Sequence, residues 1–140
     1  MTVLGLVLVL AGVPSQDARM VFPGGSVQIP AGCMAPDLSD RKRGAWLGTI
    51  TCWPGPSIVV FQRPGNATVC RLSSEGAGHR TQLVSAAGRS LDVCATVRKA
   101  GASGTVLREM VVAIGSTVMR AEIREPTDAV TLLFIASTFE

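Results

Sequence analysis

Residues 90–98 read SLDVCATVR, in which Leu91, Val93, Ala95 and Val97 alternate strictly with Asp92, Cys94, Thr96 and Arg98. A period of two sends one set to each face of a β-strand, and a helix would mix them. The segment therefore predicts a half-buried strand with its aliphatic set inward. SVQIP at 26–30 and GTITCW at 48–53 alternate too, and further short β-rich runs follow: SIVVFQ at 57–62, ATVCRL at 67–72, TQLVSAA at 81–87, TVLREMVVAI at 105–114 and TVMRAEI at 117–123. Gly, Pro, Asn and Ser clusters separate the runs, as turn chemistry requires. RPGN at 63–66 predicts a turn, SSEGAGHR at 73–80 a loop, and Gly115-Ser116 a two-residue hairpin connection. Within GTITCW, Ile50 and Cys52 share one face, while Thr49, Thr51 and Trp53 share the other.

The last segment, EPTDAVTLLFIASTFE, changes character. Pro126 suits a first helical turn, and Thr127 and Asp128 are residues that cap free amides. Val130, Leu133 and Phe134 fall at helical spacing, with Leu132 and Ile135 widening the stripe. A helix over about 127–136 that covers the sheet is expected, and a further strand is the alternative. The resulting fold class is α+β: a mostly antiparallel sheet of about 7–8 short strands with one C-terminal helix packed on it. At 140 residues with 47% apolar side chains, one domain can bury roughly two thirds of its unfolded surface. No repeat or heptad pattern divides the chain.

Residues 3–13, VLGLVLVLAGV, form an uncharged run that is shorter than the roughly 20 residues needed to span a bilayer. No transmembrane segment is expected. The length suits the apolar core of an export signal, with Ser15 and Ala18 as small residues at candidate cleavage points. The preceding Met1 and Thr2 carry no Lys or Arg, so either the true start lies upstream or the run is a buried first strand. Residues 1–18 are thus assigned as a signal peptide or leader, and 19–140 as a single β-rich domain.

Four cysteines, Cys33, Cys52, Cys70 and Cys94, have 18, 17 and 23 residues between successive members, and no CxxC occurs. Structural zinc sites and thioredoxin-type redox motifs both need a close pair, so neither is expected. An even count behind an export signal points to two disulfides, and four cysteines permit three pairings. Cys33 with Cys52 and Cys70 with Cys94 is favoured, because each then closes a loop of about 20 residues. Free buried thiols in a cytoplasmic β-rich interaction protein are the alternative.

VQIPAG at 27–32, LGTI at 47–50 and the closing TLLFIASTF at 131–139 resemble segments of small, exported, uncharacterised bacterial proteins. In architecture those proteins are similar to PsbP-like α+β domains, in which a helix packs on an antiparallel sheet. The resemblance implies export and fold; it brings no catalytic residue with it.

Several chemistries are disfavoured by what the chain lacks. Aromatics make up 4% with no Tyr, which argues against a stacking platform for nucleic acid. There is no GxGxxG or P-loop, no GxSxG elbow, and no candidate carboxylate pair among the 10 acids. No cofactor or metal is expected. The lone imidazole, His79, has Ser73, Ser74 and Glu75 near it in sequence and would have to anchor any small hydrolase site; the other reading is a solvent-exposed loop histidine. The net charge of +3 is mostly that of a mixed surface, but Arg41, Lys42 and Arg43 stand together. That cluster fits an anionic partner such as an acidic glycan, with Trp46 and Trp53 as stacking surfaces, unless Asp37 and Asp40 neutralise it and the tryptophans pack in the core. Asn66-Ala67-Thr68 has the form of a glycosylation sequon. The sum of these observations is a secreted or periplasmic, disulfide-stabilised domain that binds or scaffolds, through a protein or an anionic glycan, without catalysis of its own.

Overall fold

The computed structural model describes residues 18–35, 46–74, 78–99 and 104–140. Residues 1–17 of the leader and Arg41, Lys42 and Arg43 lie outside the described residues. Strands β1 (Arg19–Phe22) and β2 (Gly25–Gln28) form a hairpin of their own. The main sheet contains β3 (Cys33–Met34), β4 (Trp46–Cys52), β5 (Ser57–Gln62), β6 (His79–Val84), β7 (Ser90–Lys99), β8 (Thr105–Ile114) and β9 (Thr117–Glu122). Helix α1 (Pro126–Ser137) follows. The seven strands lie in the order β3-β4-β5-β9-β8-β7-β6, with every neighbouring pair antiparallel. The fold is α+β, one helix on a mostly antiparallel sheet.

One face of the sheet carries Ile50, Ile58, Val60, Leu91, Val93, Val112 and Met119, all buried. Helix α1 covers this face, packing on β8, β9 and β2. The β1–β2 hairpin completes the layer with Met20, Phe22 and Val27. It is locked to the chain end, since Ser26 N donates to Glu140 O at 3.0 Å and Glu140 N to Ser26 O at 2.9 Å. Gly25 is needed there because a Cβ would stand 2.6 Å from both Glu140 O and the Phe139 ring.

The helix starts as its sequence demands, with Pro126 in its first turn. Asp128, rather than Thr127, does the capping: its Oδ2 accepts from the amides of Arg124 at 2.9 Å and Glu125 at 3.2 Å. A carboxylate among free amides at a helix N-terminus also complements the helix dipole. The buried stripe, however, consists of Ala129, Leu132, Ile135 and Ala136. The expected stripe of Val130, Leu133 and Phe134 is corrected: Leu133 is half-buried, and Val130 and Phe134 remain 66% and 47% exposed. An apolar sequence on every side of a helix does not fix which side meets the sheet.

The second face of the sheet departs from the expected half-buried pattern. ATVCRL does not make a strand; Val69–Leu72 is a 3-10 turn lying over this face. Val69, Leu72, Cys94, Val111, Ala113 and Val118 form a second buried cluster, with Phe61, Ala67 and Cys70 packed against it. The outward set of β7 is therefore buried at Cys94 and Thr96, whereas Val97, expected inward, is 41% exposed. Alternation set the two faces of β7 correctly but could not show that both would be covered.

Candidate functional site

Cys33 stands directly opposite Cys52 across the β3–β4 ladder, and their sulfurs are bonded. Cys70 of the 3-10 turn is bonded to Cys94 of β7, so no free cysteine remains. These are the pairs favoured by loop length. One disulfide ties a sheet edge; the other fastens the cover of the second face.

Beside the first disulfide, the chain leaves the ladder at Trp53, whose N–H donates to Gly32 O at 2.7 Å. That bond joins the end of β4 to the PAGC turn and leaves the indole standing free, 85% exposed. Facing it are the outward residues of α1. An open groove of about 410 Å³ lies between them, walled by Trp53 and Pro54 on one side and Val130, Thr131 and Phe134 on the other, with Cys33 and Cys52 among its lining residues. Pro30, Ala31 and Gly32 complete it. Its surface is chiefly apolar, and a cluster of exposed large apolar side chains of this kind marks a contact site more often than scattered ones do. A second opening of about 440 Å³, formed by Val106, Leu107, Ile123, Arg124, Glu125, Pro126 and Ala129, lies at the start of α1 and contains no aromatic residue.

Trp53 does not pack in the core, which corrects that reading. Trp46 is half-buried and paired with Phe61 across β4 and β5. The exposure of each wall, though not their meeting, was signalled in the sequence. Trp53 is followed at once by Pro54-Gly55-Pro56, which cannot continue a central strand. The helix carries Val130, Leu132, Leu133, Phe134 and Ile135, more apolar residues than one stripe can bury on a single sheet.

His79 begins β6 instead of lying in a loop, opposite Ala95, and its side is exposed. Ser74 is occupied elsewhere. Its N–H donates to Glu109 Oε1 at 2.8 Å, and its hydroxyl makes a short hydrogen bond to Glu109 Oε2. Glu109 is buried, with Arg120 Nε at 3.8 Å from its Oε2. Arg120 in turn donates to Leu72 O at 3.1 Å and lies over the Phe61 ring at 5.3 Å. The serine, carboxylate and guanidinium are thereby used to fasten the cover of the second face. At the exposed edge, Arg80 donates two hydrogen bonds to Asp92, at 2.7 and 3.0 Å. This hydrogen bonding, reinforced by the carboxylate's charge, raises the guanidinium above its usual pKa.

Among the described residues, no group of three or more His, Cys, Asp or Glu is placed to hold a metal ion. Among them, too, no helix is long and apolar enough to cross a membrane. Comparison of the chain with family models, curated proteins and solved structures found no match.

Proposed function

We propose that this chain is an exported, disulfide-stapled binding domain, without catalysis of its own, whose contact face is the groove between Trp53 and Phe134. The observation that carries this reading is the exposed indole of Trp53 beside exposed Val130 and Phe134, over a covalently fixed floor. An aromatic residue held by a rigid backbone loses little freedom on binding, and tryptophan is the residue most often found at the energetic centre of interfaces. The groove's apolar walls suit an apolar side chain of a protein partner. Export is supported by the apolar run at 3–13, by the resemblance to small exported bacterial proteins, and by two disulfides, which persist in oxidising compartments. Ala18 O accepts from Ile29 N at 2.8 Å, so cleavage after Ser15 keeps a main-chain bond that cleavage after Ala18 would remove.

A photo-crosslinking amino acid placed at Thr131, in the producing cells, tests the contact face against the same group placed at Gln82 on the far edge strand. The expected result is a discrete protein adduct from position 131 that disappears in Trp53→Ala. Absence of an adduct, or one equally strong from position 82 and indifferent to Trp53, would overturn the reading. Retention on heparin that is lost when Arg41, Lys42 and Arg43 are all changed to Ser would instead favour the anionic-glycan partner.

A further inference from the structure

The two disulfides differ in how a reagent can reach them. Cys94 is 0% exposed, and Cys70, partly exposed, packs against the cluster of Val69, Leu72, Val111 and Val118 that holds it. Main chain lies directly over that bridge: a Cβ built on Gly78 would be 2.6 Å from Cys94 Sγ and 2.9 Å from Ala95 O. A thiol reaches Cys94 Sγ from that side only after the main chain at Gly78 lifts. Cys33 and Cys52, by contrast, line the open groove beneath Trp53. Each bridge has one partly exposed cysteine, Cys33 here and Cys70 there, but it is Cys33 and the 4% exposed Cys52 that border an open groove. Strand β3 is two residues long and pairs only at Cys33 with Cys52 and at Met34 with Thr51. Opening this bridge therefore detaches little of the sheet.

We infer that Cys33–Cys52 is a thiol-exchange site, opened by dithiol reductants entering through the Trp53–Phe134 groove while the fold stands, and that Cys70–Cys94 is a purely structural bridge. The step balances with the reductant as the only co-reactant. One thiolate of the dithiol attacks Cys33 Sγ, the Cys33–Cys52 bond breaks, and its electron pair leaves on Cys52 Sγ, which takes a proton from water. The second thiol of the reductant, deprotonated, then attacks its own sulfur in the mixed disulfide and releases Cys33 as a thiolate that is protonated in turn. The protein gains two electrons and two protons, and the dithiol becomes a disulfide. The product keeps the Trp53 N–Gly32 O bond but loses the covalent tie beneath the groove, so the redox state of Cys33–Cys52 sets how firmly the groove's PAGC wall is held. This inference is independent of whether a protein occupies the groove.

The test treats the purified, fully oxidised chain with dithiothreitol in the absence of denaturant, traps free thiols at intervals with an alkylating agent, and maps them by mass spectrometry while circular dichroism follows the fold. Cys33 and Cys52 are expected to be labelled at least about tenfold faster than Cys70 and Cys94, with the spectrum unchanged, because exchange through an open groove does not wait for global unfolding. Ala31→Trp, at the exposed mouth of the groove, is expected to slow labelling of Cys33 and Cys52 several-fold and leave the other pair unaffected. Labelling of all four at one rate, labelling of Cys70 and Cys94 first, or no labelling before denaturant is added would overturn the inference. An undiminished rate in Ala31→Trp would overturn the groove as the route of entry.

Discussion

The carboxylate of Glu109, near the middle of β8, accepts from both the amide and the hydroxyl of Ser74. A central strand of the sheet thus holds the end of the segment that covers its second face. The side chain of Glu109 is 11% exposed, so its loss would leave the part-buried amide and hydroxyl of Ser74 without their acceptor and Arg120 without its counter-charge. Glu109→Ala is expected to lower the unfolding free energy by roughly 2–3 kcal/mol, and Glu109→Gln, which keeps an acceptor for the amide, by about 1 kcal/mol. Urea unfolding of the two variants checks this; equal losses would mean that the hydrogen bonds to Ser74 contribute nothing beyond side-chain volume.

The two sides of α1 should respond oppositely to truncation. Leu132 is fully buried between helix and sheet, and Leu132→Ala is expected to cost about 3 kcal/mol through lost transfer energy and the cavity left behind. Val130 is 66% exposed, and Val130→Ser should stay within about 0.5 kcal/mol of the parent. Denaturant midpoints measured at constant slope separate the two. A larger loss at Val130 would require the helix to be rotated about its axis.

The disulfides close loops of similar length, with sequence separations of 19 and 24 residues, so chain entropy alone gives each about 3 kcal/mol. Their surroundings differ. Changing Cys70 and Cys94 together to Ala hollows the small second cluster around fully buried Cys94, whereas changing Cys33 and Cys52 trims the edge of the larger main core where it borders the groove. Thermal unfolding should therefore rank the parent above the Cys33/Cys52 variant, and that variant above the Cys70/Cys94 variant. The reverse order would contradict the packing described for the second face.

The two tryptophans are expected to separate by fluorescence. Trp53 should emit at long wavelength and be quenched readily by iodide, while half-buried Trp46 emits further to the blue. Trp53→Phe should remove the quenchable component and change stability by less than about 0.5 kcal/mol, because an 85% exposed side chain contributes little to the core. A Trp53→Phe spectrum that kept its full iodide sensitivity would place the exposed indole at position 46.

Strands β2 and β4 to β9, the Gly115-Ser116 connection and the closing helix were legible because each is written in local chemistry: β-rich runs, turn residues, and proline ahead of an apolar run; β1 and the two-residue β3 were not read. Coverage was less legible. Cys94 and Thr96 sit at positions that alternation assigns outward, yet Val69–Leu72, distant in sequence, clusters with Cys94, and the main chain at Gly78 lies against both. ATVCRL has the β-branched residues of a strand, but Cys70 is committed to Cys94 and Val69 and Leu72 to the second cluster, so tertiary packing overrides its local preference. The groove was hidden for a related reason. Trp53 and Phe134 are brought together by the packing of α1 against the sheet, which no local pattern encodes. Arg41, Lys42 and Arg43 lie outside the described residues, so their suitability for an anionic partner rests on the sequence.

Each disulfide joins cysteines that are neighbours in the sequence, and the two spans do not overlap. Arg41, Lys42 and Arg43 fall inside the first span, and Arg71, Arg80 and Arg89 inside the second. A trypsin-like protease that cuts once at any of these leaves two pieces still joined by a sulfur bridge. Such a nicked molecule would keep its mass, apart from one added water, until it met a reductant. Backbone continuity and molecular integrity are thus partly uncoupled across the middle of this chain.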